Sequence, residues 1–189
     1  MDIKAKVAQL SLEDKVKLLT GEDFWTTYAL ADIGLRKMVV SDGPSGVRGE
    51  LWDERSPSLS LPSATAFAST WDTEVMGVIG EVMAYEARRK NVDVVLGPTI
   101  NLHRSPLGGR HFEAYSEDSV LSGKLAAAFV RGIQQQGVGA CLKHFVANDA
   151  ETDRHTVNNI LDEETLREVY ALPFVIAVRD SNPWTIMSA

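Results

Sequence analysis

The strongest constraint on the fold of this chain is a rhythm. A short apolar run, a long polar loop and a helical segment follow one another three times before a fourth apolar run. "KMVVSDGPSG" is a β-branched run that breaks into turn residues, so it predicts a strand ending near Ser41. "VRGELWDERSPSLSLPSA" has no periodicity and reads as a loop. "WDTEVMGVIGEVMAYEARRK" then places Val75, Ile79, Val82, Met83 and Ala87 on one helical face, with basic residues in the last turn to suit the macrodipole. The succession recurs as the strand "VDVVLGP", the loop "TINLHRSPLGGRHFEAY" and the helix "SEDSVLSGKLAAAFVRGIQQQG", with Ser116 as cap and Gly137 as terminator. It recurs again as the strand "VGACLKHF", the loop "VANDAETDRHTVNN" and the helix "DEETLREVYALPFVIAVRD", in which Pro173 begins a second piece. "PWTIMSA" is the fourth strand, and an earlier helix over "SLEDKVKLLTG" runs from a Ser11 cap toward Gly21.

Strands that are apolar throughout and alternate with helices are parallel strands covered by helices. Long loops after every strand and short links after every helix favour a (β/α) barrel over an open sheet. In such a fold the functional groups gather where strands end. Lys143 and His144 close the third strand, Asp42 follows the first, and Arg110 lies in the loop after the second, so the pattern predicts that all four meet at one mouth. Each has a bland alternative. A strand-end lysine ordinarily snorkels to solvent, Asp42 suits an Asx turn, and Arg110 suits a pair with Glu113 or Glu117. Glu117 and Asp118 belong to the N-terminus of their helix. Placement of four polar groups at the same end of successive strands favours a joint role. Among the tryptophans, Trp52 and Trp184 are placed to stack on a ligand.

Composition removes other classes. The 189 residues carry a net charge of −7 without a basic block, which argues against nucleic-acid or anionic-membrane binding. The start, "MDIKAKVAQLSLEDK", has no apolar signal core, and Cys141 is the single cysteine; both favour a cytoplasmic setting. "GPSGVRG" lacks the lysine and hydroxyl of a phosphate loop, no GxGxxG follows a strand, and "GPSGV" is not a nucleophile elbow. The four histidines show no helical metal spacing. Neither metal nor cofactor is expected.

"SDGPSGVRG", "LPSATAFASTWD", "LGPTINLHRSPLGGRHFEAYSED", "LKHFVANDAETDRHTVN" and "LDEETLREVYALPFVIAV" with "IMSA", in that order, resemble the landmarks of family-3 glycoside hydrolases, above all the β-glucosidases. The resemblance runs from about Ser11 onward. It implies an N-terminal domain similar to a (β/α)8 barrel, with Asp42, Arg48, Arg110, Lys143 and His144 contacting the hydroxyls of a terminal sugar. It also implies a β-glucoside or small oligosaccharide substrate and a retaining reaction. The nucleophile, an aspartate in an "SDW"-like segment, and the acid/base are expected outside this chain, so that no catalytic residue is assigned within it. Asp149, Glu151 and Asp153 receive no catalytic role, and the absence of a "GHG" continuation after "KHFVAND" favours glucosidase or xylosidase over hexosaminidase. A complete barrel takes about 250 residues. Residues 1–189 are therefore expected to be the first half of one, closed by the rest of the same enzyme or by another chain, with oligomers conceivable. A non-catalytic sugar-binding or assembly module is the alternative.

Overall fold

The computed structural model describes residues 2–51 and 53–189. Four parallel strands lie side by side in chain order: β1 (Val40–Ser41), β2 (Val94–Val95), β3 (Gly139–Phe145) and β4 (Thr185–Ser188). Between them run α3 (Ala64–Ala68) and α4 (Thr73–Arg89), then α5 (Ser119–Gln135), then α6 (Glu163–Thr165), a π-helical turn over Leu166–Tyr170 and α7 (Leu172–Ser181). α1 (Ile3–Ala8) and α2 (Leu12–Lys17) precede the sheet. This is an α/β arrangement with half the strands of an eight-stranded barrel, as the alternating pattern predicts.

The strand registers are set at their amino ends by Asp93. Its carboxylate takes the Val39 N–H at 2.8 Å and both Arg36 NH groups, at 2.6 and 2.9 Å, tying the start of β1 to that of β2. The core lies between sheet and helices, where Val95, Ala140 and Leu142 meet Met83 of α4, Phe129 and Ile133 of α5, and Phe174 of α7. α4 and α5 pack backbone to backbone. A Cβ on Gly132 would stand 2.2 Å from the Gly77 carbonyl oxygen, and one on Gly80 would stand 2.4 Å from that of Phe129. Only glycine permits this approach.

That contact corrects the helical face read from sequence. Val75 is exposed and Val82 half-buried; the covered face of α4 is Met76, Ile79, Gly80, Met83, Ala84 and Ala87. A count of apolar side chains favours valines, whereas packing turns the small residues inward. The cap of α5 is likewise Asp118, which accepts the Leu121 N–H at 2.7 Å, while Ser116 accepts from Asp118 N one step earlier. Gly137 does terminate the helix, at φ +78°. Ser11 caps α2 as expected, but that helix ends at Lys17 and Gly21 bridges Thr27 instead. Pro173 opens α7.

Candidate active-site cleft

The carboxyl ends of the strands enclose an open cleft of about 330 Å3, within the range of roughly 300–1,000 Å3 usual for small-molecule sites. Asp42, Arg110, Lys143 and His144 all line it, together with Trp25, Asn148, Arg154 and His155. The predicted convergence is present. Arg48 does not line this cleft: its N–H closes the Asp42 turn at 3.1 Å, and its guanidinium stands 4.8 Å from the Trp25 ring centroid. Trp184 lies at the opposite end of the sheet, its indole against Gly139, while Trp52 falls outside the described residues.

Lys143 does not snorkel. It is 2% exposed, and its Nζ is held 3.1 Å from Asp42 Oδ1 and 3.7 Å from Glu113 Oε2. Burial pushes the Asp42 carboxyl up, but the Lys143 charge and hydrogen bond, the Gly43 N–H and the Arg110 charge outweigh it, so it titrates below the usual carboxylate range. Arg110 makes the Glu113 pair considered from the sequence, through Nε, and still reaches the cleft; its NH1 stands 3.7 Å from Glu151 Oε1. Glu151 also binds Arg154 at 2.9 Å. Three carboxylates and three cations thus alternate along one network, which compensates the charges taken out of water.

His144 is fixed by Asn101, whose Oδ1 accepts the His144 backbone N–H at 2.8 Å and faces Nδ1 at 3.1 Å, while its Nδ2 donates to the His144 carbonyl at 2.9 Å. Because Oδ1 can only accept, Nδ1 carries the proton and Nε2 is an acceptor. Burial, with Arg110 and Lys143 adding to it, lowers the imidazole to about 4. At neutral pH the ring is therefore uncharged. The peptide joining Lys143 to His144 is cis.

Sequence reasoning missed Asn101 and Trp25 and treated Glu113 only as a surface partner. Trp25 reaches the cleft because its carbonyl accepts the Val40 N–H at 2.7 Å, in a segment with no strand signal of its own. Asp149 accepts the Leu102 N–H and Asp153 sits in a turn at φ +54°, in keeping with loop roles for both. Burial pushes the Asp149 carboxyl up.

Comparison with known proteins decides the family. The model described as "Glycosyl hydrolase family 3 N terminal domain" matches residues 6–189. The chain belongs to glycoside hydrolase family 3. It is 46% identical over 189 residues to the probable beta-glucosidase I of Emericella nidulans, covering all of this chain and 22% of that protein. It is 43% identical over 196 residues to the thermostable beta-glucosidase B of Acetivibrio thermocellus, of which it covers 26%. Among solved structures, beta-glucosidase 3B from Thermotoga neapolitana in complex with glucose superposes with a TM-score of 0.93 at 43% identity, over all of this chain and 29% of that one. The Kluyveromyces marxianus beta-glucosidase in complex with glucose gives 0.95 at 42%, over all of this chain and 23% of that one. The family-3 chain described here thus spans between a fifth and a third of the length of these relatives, and its four-stranded half-barrel is the fold shared with them.

Proposed function

We propose that residues 1–189 form the first half of the barrel of a retaining β-glucosidase and carry the subsite for the terminal β-D-glucosyl residue. The observation that supports this reading best is the Asp42–Lys143 pair, set with Arg110 and His144 in the cleft at the carboxyl ends of the strands. Vicinal sugar hydroxyls both donate and accept. Asp42 accepts from them, Lys143 and Arg110 donate, and His144 offers Nε2 as an acceptor. Each hydrogen bond to a charged group is worth roughly 1.5–3 kcal/mol, and a sugar lacking the matching hydroxyl leaves that group unpaired. Arg48 acts through Trp25, holding the indole at the rim.

Among the described lining residues Asp42 is the one side-chain carboxylate, and it is engaged by Lys143. A retaining mechanism uses two carboxyl groups about 5–5.5 Å apart. In this reading both come from other parts of the enzyme, and these 189 residues bind and orient the sugar. The test is Asp42→Ala in the enzyme that carries this chain, assayed on aryl β-glucoside and aryl β-xyloside. A fall in kcat/KM of about a hundredfold or more, with weakened glucose inhibition, is expected, because contacts remote from the reacting carbon strengthen in the transition state. Unchanged values would remove Asp42 from the subsite. Preference for the xyloside would reassign the sugar, and binding without turnover in the unsubstituted protein would favour a sugar-binding module.

A further inference from the structure

Both cations that face the sugar are gripped from behind by a single carboxylate. Glu113 follows Arg110 by one 3-10 turn, and its side chain is only 6% exposed. Oε1 accepts from Arg110 Nε, Oε2 accepts the Thr99 hydroxyl at 2.9 Å, and the same Oε2 stands 3.7 Å from the Lys143 ammonium. Thr99 pairs in parallel fashion with Lys143 and with Ala114, so the hydroxyl that fixes the carboxylate comes from the segment that links the Arg110 loop to β3.

We propose that Glu113 is a positioning residue of the sugar subsite, whose buried carboxylate sets the orientations of Arg110 and Lys143 together so that their remaining N–H groups point into the cleft. The proposal rests on the subsite reading above. No neighbouring carboxylate can take its place. Asp42 is itself part of the cleft surface, and Glu151 is bound to Arg154 at 2.9 Å and reaches Arg110 only at 3.7 Å. The charge matters as well as the shape. A glutamine of equal size can keep Arg110 Nε–H on its oxygen only by turning its amide NH2 to the Thr99 oxygen, which places a donor where Oε2 faced the Lys143 ammonium and offers that ammonium no charge.

The test is a double-mutant cycle in the enzyme that carries this chain, with Glu113→Gln made alone and in a Lys143→Ala background and kcat, KM and glucose inhibition measured on an aryl β-glucoside. If Glu113 acts through Lys143 and Arg110, the single substitution lowers kcat/KM by roughly tenfold or more, but in the Lys143→Ala background its effect shrinks by at least about threefold, since the two share one interaction. A residue that merely supports the fold lowers both backgrounds by the same factor. That outcome, or no loss at all, overturns the proposal. If Lys143→Ala by itself leaves kcat/KM unchanged, the subsite reading fails and this inference with it; if Lys143→Ala is damaging but the two effects multiply, only the inference fails. Should Glu113→Gln not fold, Thr99→Val stands in: loss of the hydroxyl that fixes Oε2 is expected to lower kcat/KM several-fold in the parent enzyme and less in the Lys143→Ala background, and equal or absent losses overturn the proposal.

Discussion

Lys143 and Asp42, 101 residues apart in the chain, meet with Nζ 3.1 Å from Oδ1 at the mouth of the sheet. The pair joins the ends of β1 and β3 across β2, and its two members differ in exposure: the lysine side chain is 3% exposed and the aspartate 44%. Lys143 thus sets the ionisation of a carboxylate that stays open to ligand. Replacing it with methionine removes the lowering charge but leaves the burial that raises Asp42, so the Asp42 pKa must rise. Glucose inhibition followed against pH in the enzyme that carries this chain is expected to lose its acid limb at higher pH in Lys143→Met than in the parent. An unmoved limb would mean that Asp42 does not govern binding.

His144 gives a stability prediction with a defined window. Its folded value, about 4, lies below the ordinary 6.5, so the unfolded chain binds the proton more readily. The stability tied to the neutral ring is complete above about pH 6.5 and is lost as pH falls toward 4, to a limit of about 3 kcal/mol. Thermal melts of the parent and of His144→Gln are expected to converge across that interval. Parallel curves would show that His144 titrates normally in the fold.

The α4–α5 contact distinguishes two glycines, Gly77 on α4 and Gly132 on α5. Gly132→Ala puts a methyl group 2.2 Å from the Gly77 carbonyl oxygen and is expected to cost about 1–3 kcal/mol or more, because helix backbones must separate. At Gly77 an added Cβ meets nothing within 4 Å, so Gly77→Ala is expected to be neutral or to stabilise by roughly 0.5–1 kcal/mol through helix propensity. Melting temperatures of the two variants check the contrast.

Produced as a 189-residue chain, the protein presents β4 as an edge strand paired on one side among the described residues, while the outer side of β1 is met only by the Trp25 segment through the Val40 N–H. Ile186 and Trp184 at the β4 edge, Val16 on α2 and Leu19 just beyond it are exposed. At roughly 25 cal/mol per Å2 of apolar surface left in water, such edges favour association. Sedimentation is expected to show self-association or, failing that, dye binding should reveal apolar surface. A monomer that melts cooperatively and binds no dye contradicts this expectation.

The same 189-residue chain is expected to show no turnover of aryl β-glucosides, because its cleft presents Asp42 already paired with Lys143 and no second side-chain carboxylate among the described lining residues. Hydrolysis by a preparation free of contaminating glucosidase would return Asp149 and Glu151 to consideration.

The sequence by itself determined the parallel α/β plan, the strand ends and the convergence of Asp42, Arg110, Lys143 and His144. These follow from local chemistry: β-branched runs, turn residues and the rule that βα loops share one end of a parallel sheet. Tertiary structure alone decided what lies behind those residues. Glu113 is a surface residue by its neighbours in "GGRHFEAY" and a buried anion once Thr99 and Lys143 close over it. Asn101 becomes the partner that selects the His144 tautomer only when the loop after β2 lies alongside β3. Trp25 enters the cleft, and Trp184 leaves it, according to which strand each segment pairs with. Met76 displaces Val75 from the core because two glycines let α4 and α5 touch. Periodicity records what one segment prefers, whereas partnership across 40 or 100 residues depends on which surfaces the folded chain brings within 3–4 Å, and no local pattern encodes that distance.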